Sequence, residues 1–308
     1  MAQQCHLAEA SRAGFYRYLA KSSPVKEDLL VRARLQQLAV THHRRRGYRM
    51  LAALLRREGQ VVNHKRVLRL MQQDNLLCLR RKGYVFTTDS RHHLLIYPNL
   101  TRRIELVKPN QLWVADITFI RLRHEFIYLA VVLDAYSRRA IGWQLGRSLV
   151  AELAIGALQM ALKQRDWQAG ELIHHSDQGA QYASGDYTGL LEQKEIQISM
   201  SRRGNPYDNA RAERFMRTLK EEEAHQIEYQ TLEEAQQRIG EFLEKVYNQQ
   251  RLHSALRYLT PEEIEQTHQA KRTDGADGSD GKPKNGFPPL PQAFEIPGER
   301  DSHTPATT

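Results

Sequence analysis

Three carboxylates stand where acidic chemistry is hard to avoid. Asp116 interrupts an apolar run, LWVADITFI, at a position expected to be central and largely buried in a strand. An unpaired charge there is costly and calls for a partner such as a cation. Asp177 closes IHHSD and opens into Gln178-Gly179, a strand end leading into a turn, where open α/β sheets place their ligand chemistry. Glu213 sits early in a helical stretch, with Arg217 at i+4 and Lys220 at i+7 on the same face. Converging carboxylates suit hard cations such as Mg²⁺, which take oxygen ligands, waters and substrate phosphate oxygens. Two such ions about 3.5–4 Å apart can activate an attacking oxygen and stabilise a leaving one at phosphorus. Arg217 and Lys220 would then steer a phosphodiester backbone. Each acid alone also has a structural explanation: a strand Asp can bond a turn, Asp-Gln-Gly can be only a turn, and Glu213 can be one arm of a surface ion pair.

The elements that must position these residues can be read from the pattern. Residues 112–122, 126–137 and 139–146 are rich in β-branched and aromatic residues with short polar breaks, as consecutive antiparallel strands require. A helix over about 150–164, a strand over 171–177, a helix over about 184–194 and a short strand over 196–201 follow. Helices over about 208–224 and 231–249 complete the set. Three strands and then alternating helix and strand give an α/β mixed five-stranded sheet flanked by helices on both faces.

The region before this sheet differs in charge. Residues 1–100 hold 19 Lys and Arg against 6 Asp and Glu, whereas residues 101–308 hold 26 against 30. The net charge of +9 is therefore wholly N-terminal, as for a module that grips a polyanion. YRMLAALLRREG ends at Gly59, a C-cap residue, and VNHKRVLRLMQQDN opens at Asn63, an N-cap residue. The short link between them is helix-turn-helix spacing. In the second helix Val67, Leu68 and Met71 are expected to face a core, with Lys65, Arg66 and Arg69 outward for DNA phosphates. A tri-helical bundle without DNA contact would show the same pattern. Residues 1–40 read as a helical segment with Ser11 as a cap before Phe15, Tyr18 and Leu19. The expected layout is 1–40 helical, 41–105 helix-turn-helix-like region and linker, 106–268 catalytic core and 269–308 disordered tail. That tail holds six of the eleven prolines and too little apolar surface to offset its ordering entropy.

Other features narrow the field. No run of 18 apolar residues predicts a membrane span, and MAQQCHLAEASRAGF lacks a secretory pattern. Cys5 and Cys78 are the only cysteines, which points to a reducing cytoplasm and no zinc site. Asp134 is expected to anchor a turn, Asp208 to cap the helix bearing Glu213, and Trp113 to be a core aromatic rather than a base-stacking platform. His174 and His175 can be either phosphate or metal contacts or satisfied hydrogen-bonding residues. No dedicated Ser or Tyr nucleophile is distinguished.

The segments QLWVADITFI, VVLDAYSRRAIGW, HHSDQGAQYAS, SMSRRGNPYDNARAERFMRTLKEE and YNQQRLHSALRYLTPEE, preceded by the two basic helices, occur in one order. In this the sequence resembles the OrfB transposase of the insertion-sequence-three family over about residues 5–266. The 35 residues between Asp177 and Glu213 match that family's acidic spacing. The resemblance implies a ribonuclease H-like core in which Asp116, Asp177 and Glu213 are catalytic metal ligands for Mg²⁺, with Mn²⁺ able to substitute. It implies cleavage and joining of double-stranded DNA at element ends and target in a bacterial, nucleoid-associated setting. An assembly of at least two copies on DNA, and an upstream OrfA partner or fusion, are also implied. Gln178, Leu252 and Arg257 depart from the residues common there, which touches substrate contacts and not the three acids. A nuclease of the same fold that does not join strands, and a non-enzymatic or decayed DNA-binding protein, are the competing readings. The long basic N-terminal region argues against the first and the intact acidic triad against the second.

Overall fold

The computed structural model describes Ser11 and residues 26–42, 44–78, 93–102, 104–202 and 206–274. The helix expected around Phe15, Tyr18 and Leu19 and the tail from 275 onward lie outside the described residues. The chain divides into two compact units, with the division after Leu79.

In the first unit, α1 (Lys26–Thr41), α2 (Tyr48–Arg57) and α3 (His64–Gln73) enclose one small core. Val31, Leu35 and Leu38 recur at helical spacing on α1 and meet Leu51, Leu55, Val67, Leu70 and Met71. The punctuation follows the sequence. Asn63 Oδ1 accepts the Lys65 amide at 2.9 Å as the cap of α3. Beyond α2, Gly59 takes φ +81°. There the Gln60 amide reaches Leu55 O at 2.8 Å and the Gly59 amide reaches Arg56 O at 3.1 Å, the paired bonds of a Schellman end. One expectation needs correcting: Leu70 is fully buried, and Leu68 only half-buried. Val67, Leu70 and Met71 share one face at i, i+3 and i+4, and Leu68 is turned away from it.

The second unit is built on a sheet of β1 (Leu112–Arg121), β2 (Phe126–Asp134), β3 (Ala140–Gly146), β4 (Ile173–Ser176) and β5 (Gln197–Met200). The strand order is β3-β2-β1-β4-β5. The first three strands pair antiparallel, and β4 pairs parallel with both β1 and β5. Helices α4 (Ala151–Gln164), α5 (Ala180–Ala183) and α6 (Gly185–Gln193) follow in the chain, then α7 (Ala210–Leu219), α8 (Leu232–Glu241) and α9 (Pro261–Asp274). Alternation along β1 divides the core between the two sheet faces. Trp113 and Ala115 join Leu158 of α4 and Leu191 of α6, whereas Leu112, Val114 and Ile120 join Phe215 of α7 and Ile239 of α8. This is the mixed five-stranded, two-faced architecture expected, preceded by an all-α region.

Some boundaries differ in character. The stretch over 208–224 begins as a 3₁₀ turn at Pro206–Asn209 and ends as a π-helical turn at Lys220–Ala224. The stretch over 231–249 is α-helical only to Glu241 and then π-helical over Phe242–Gln250. Within that wider turn Asn248 takes the Ala140 amide at 2.9 Å and donates to its carbonyl at 3.0 Å, fixing the start of β3. Helix α9 continues to Asp274, past the expected edge of the tail at 269. It is held by buried Ile264 and by Glu265, which binds Ser137 Oγ at 2.7 Å and Arg165 at 2.8 Å.

Candidate functional site

Asp116 lies in mid-β1 opposite Val131 of β2, on the sheet face that packs α7. Its Oδ1 accepts the Ile117 amide at 2.8 Å. On its other side β1 runs parallel to β4, and the last paired residues are Val114 and His175. Asp116 and Asp177 each stand two residues beyond that pair, so the topology sets them side by side where the two strands end their ladder. Neighbouring strands are about 4.8 Å apart. Asp177 Oδ1 accepts the Gly179 amide at 2.9 Å, which closes the turn after β4. Glu213 occupies the first turn of α7 and is half-buried.

The electrostatics couple these positions. The Asp116 carboxyl is pushed up to about 8, first by burial and then by the negative charge of Asp177, with Glu213 adding a smaller push. The Ile117 amide and Lys220 pull the other way. Burial raises Glu213, and Arg217 opposes that shift. Lys220 is lowered by burial and raised by Asp116, and its Nζ lies 4.1 Å over the Phe119 ring. Among the described residues no three His, Cys, Asp or Glu side chains are drawn close enough to hold a metal ion. The three acids therefore share an electrostatic field without forming a closed coordination sphere. Asp116, expected to be largely buried, is half-buried like Asp177 and Glu213; the chemistry of the three fits a hard cation, because the donors are all carboxylate oxygens and Asp116 is strained by like charge.

The neighbouring polar residues separate into roles. Asp134 is a turn anchor: it is fully buried and accepts from the amides of Asn110 (2.7 Å), Tyr136 (2.9 Å) and Ser137 (2.8 Å). Trp113 is a core aromatic with no exposed surface, and its indole N–H donates to Asn110. His174 meets Tyr187 Oη at 2.9 Å and His175 meets Ser199 Oγ at 2.8 Å, both buried. Burial holds these rings neutral, down to about 3 and about 4. Asp208 does not cap α7. Its carboxylate takes the backbone amide and guanidinium of Arg202 at 3.0 and 3.1 Å, which draws its acidity to about 2. The residue at the cap position is Asn209, whose side chain instead donates to Ala115 O at 3.1 Å. That buried tie was missed in the sequence, although an Asn four residues ahead of Glu213 was visible in DNARAE.

In the first unit the expected DNA contacts are unequal. Lys65 is exposed. Arg66 and Arg69 instead converge on Asp28 of α1, at 2.7 and 3.2 Å. Arg217 on α7 is exposed, and Lys220, the first residue of the π-helical turn after it, is half-buried.

An integrase core domain matches residues 107–206, a second integrase core domain matches residues 194–261, and an HTH-like domain matches residues 26–84. The insertion element IS600 uncharacterized 31 kDa protein of Shigella sonnei is 36% identical over 261 residues, covering 83% of this chain and 95% of that protein. The transposase for insertion sequence element IS904 of Lactococcus lactis is 38% identical over 228 residues, covering 73% of this chain and 88% of that one. Transposase InsF for insertion sequence IS3A of Escherichia coli is 32% identical over 266 residues, covering 85% and 92%.

Proposed function

This chain belongs to the IS3 family of insertion-sequence transposases, and from that premise we propose that it cleaves and joins DNA through Asp116, Asp177 and Glu213. The observation that carries the reading is the placement of Asp116 beside Asp177 and within the field of Glu213. The three carboxylates are the ligands for Mg²⁺, or Mn²⁺ in its place. A pair of such ions, when bound, lowers the charge barrier to in-line attack on a phosphodiester. Asp116 supplies the enclosed ligand from the strand, Asp177 the ligand from the turn, and Glu213 the ligand from the helix. Arg217 and Lys220, on the same side of that helix, hold the backbone phosphates flanking the scissile one.

Two displacements at phosphorus follow one another. In the first, water forms a P–O bond as the 3′ oxygen leaves, freeing a 3′-hydroxyl. In the second, that hydroxyl forms a P–O bond to target DNA as another oxygen leaves. The nucleophiles are water and DNA itself, so no protein nucleophile is required. The HTH-like region before about residue 105 binds the terminal repeats, with Lys65, Arg66 and Arg69 as its contacts, and residues 106–268 carry the chemistry. Two element ends must be held together for joining, so at least a dimer forms on DNA, alone or with an upstream OrfA product, in the bacterial cytoplasm.

The test uses Asp116→Asn, Asp177→Asn and Glu213→Gln. Each should nearly abolish cleavage and joining on a duplex carrying the terminal repeats, with DNA binding kept and melting not lowered, since removing the Asp116 charge relieves a cost of burial. Paired replacements should lose little more than single ones, because ligands of one site act as a unit. Full activity in Glu213→Gln would overturn the assignment.

A further inference from the structure

Helix α7 presents more than Glu213 to its surroundings. At 3.6 residues per turn, Arg217 lies about 40° around the helix from Glu213, Arg214 about 100° and Arg211 about 160° in the same sense. Arg211, Arg214 and Arg217 are all exposed, whereas Ala212, Phe215, Met216 and Leu219 are buried on the opposite side. The arc of guanidinium groups thus starts at the acidic site and leads away from it. Its continuation is Arg138, in the tight turn between β2 and β3. Arg138 adopts φ 64° and its amide is bonded to Asp134 O at 2.8 Å, so the buried Asp134 anchor fixes where this side chain starts.

These groups are electrostatic neighbours. Arg138 is lowered first by burial; Tyr247 opposes that shift, and Arg211, Arg214 and Arg251 add their like charges. The packing beneath explains the proximity. Phe215 of α7 meets the Tyr247 ring edge-on at 4.8 Å, and Tyr247 in turn lies under Arg251 at 5.9 Å. Arg251 is compensated by Glu222, with contacts of 2.7 and 3.0 Å. Among the described residues Arg138, Arg211 and Arg214 form no ion pair with a carboxylate, so their positive charge is left for another anion. Such an arrangement attracts an anion with regularly spaced charges.

We infer that Arg138, Arg211 and Arg214 form a second phosphate track for duplex DNA, leading from Glu213 around α7 to the β2–β3 turn. This rests on the proposed strand-transfer function and names where the DNA beyond the scissile phosphate is held. Planar guanidinium groups suit phosphate oxygens, and the arc has no exposed large apolar residue that would mark a protein partner.

The full chain carrying Glu213→Gln is titrated with a fluorescent 30-base-pair duplex across salt concentrations, with and without Arg138→Ala/Arg211→Ala/Arg214→Ala. The triple variant should bind about tenfold more weakly, and its slope of log affinity against log salt should fall by up to about 2.7, since each released phosphate contact contributes about 0.9. The corresponding triple Lys variant should keep most of that slope. If the triple Ala protein does not fold, Arg211→Ala/Arg214→Ala removes only exposed side chains and should lower the slope by up to about 1.8. Unchanged affinity and slope in a variant that melts normally would overturn the track, including the case in which these arginines serve an acidic protein instead. Cleavage that survives Glu213→Gln would overturn the catalytic assignment and still leave this binding difference readable.

Discussion

The Asn209 side chain donates to the carbonyl oxygen of Ala115 at 3.1 Å, joining the residue just before α7 to the residue just before Asp116. Asn209 is almost completely buried, so the bond is made in a setting where its loss is not made good by water. Glu213 stands one helical turn further along α7. The bond therefore sets both the height and the rotation of the helical acid relative to the strand acid. Asn209→Ala should cost about 1–3 kcal/mol, the penalty of a buried carbonyl left unpaired. It should also lower strand cleavage about tenfold to a hundredfold per folded molecule, with DNA affinity unchanged. Cleavage rates measured alongside a thermal melt separate the two effects. A lowered melt with full cleavage would reduce Asn209 to a packing residue.

Helix α4 approaches β3 through a glycine. A Cβ on Gly142 would stand 2.1 Å from Ala157 O and 2.8 Å from Ala161 N, and both are backbone atoms with nowhere to go. Gly142→Ala should destabilise by roughly 3 kcal/mol or more, within the range seen when a close-packed core is overfilled. Gly189 in α6 has nothing within 4 Å of such a Cβ. Gly189→Ala should therefore stabilise by about 0.5–1 kcal/mol. Chemical denaturation of the two variants should give shifts of opposite sign.

In the first unit, Asp28 competes with DNA for two arginines. Asp28→Asn removes the charge that draws Arg66 and Arg69 toward α1. The variant should bind duplex DNA more tightly, with a salt slope steeper by up to about 1.8 if both guanidinium groups then meet phosphates. Lys65→Ala should shift the slope the other way by up to about 0.9. Anisotropy titrations with the full chain read both. An unchanged slope in a stable Asp28→Asn protein would place Arg66 and Arg69 off the DNA-facing side.

What could be read from the sequence and what could not divide along physical lines. The strands were legible because apolar and β-branched runs broken by turn residues are local signals, and the caps at Asn63 and Gly59 are local too. The acids stood out because Asp116 interrupts such a run. Their neighbours depend on contacts between residues far apart in the chain. Nothing local announces that Arg66 and Arg69 meet Asp28 some forty positions away, or that Asp208 turns back to Arg202 and not forward to α7. Likewise α9 runs past 269, where the polar tail was expected to begin. Its anchor is Glu265 bound to Ser137 and Arg165, at 128 and 100 positions' separation. The π-helical turns after α7 and α8 leave no signature in periodicity, since their residues still fit an α-helical pattern.

His174 couples the stability of the sheet-bearing unit to acid. Its ring is buried between the sheet and α6, with Nε2 at 2.9 Å from Tyr187 Oη and the two rings edge-on at 5.5 Å. Burial, reinforced by His175, lowers it from an ordinary 6.5 to about 3. The folded value is below the unfolded one, so between them the unfolded chain binds a proton that the folded chain refuses. Stability is then full above about pH 6.5 and falls as the pH drops toward 3. Each fully titrating group contributes about 1.4 kcal/mol per pH unit. His174→Gln keeps a polar partner for Tyr187 and removes the titration. Urea unfolding at pH 7, 6 and 5 should show the parent losing stability faster than the variant, by about 2 kcal/mol over the interval from 6.5 to 5. The two should run parallel above pH 7. His253, also lowered by burial, is present in both proteins and cancels from the difference, which reports His174 together with its repulsion of His175. Identical acid slopes would mean that His174 takes up its proton equally well in the folded chain, contrary to its enclosure.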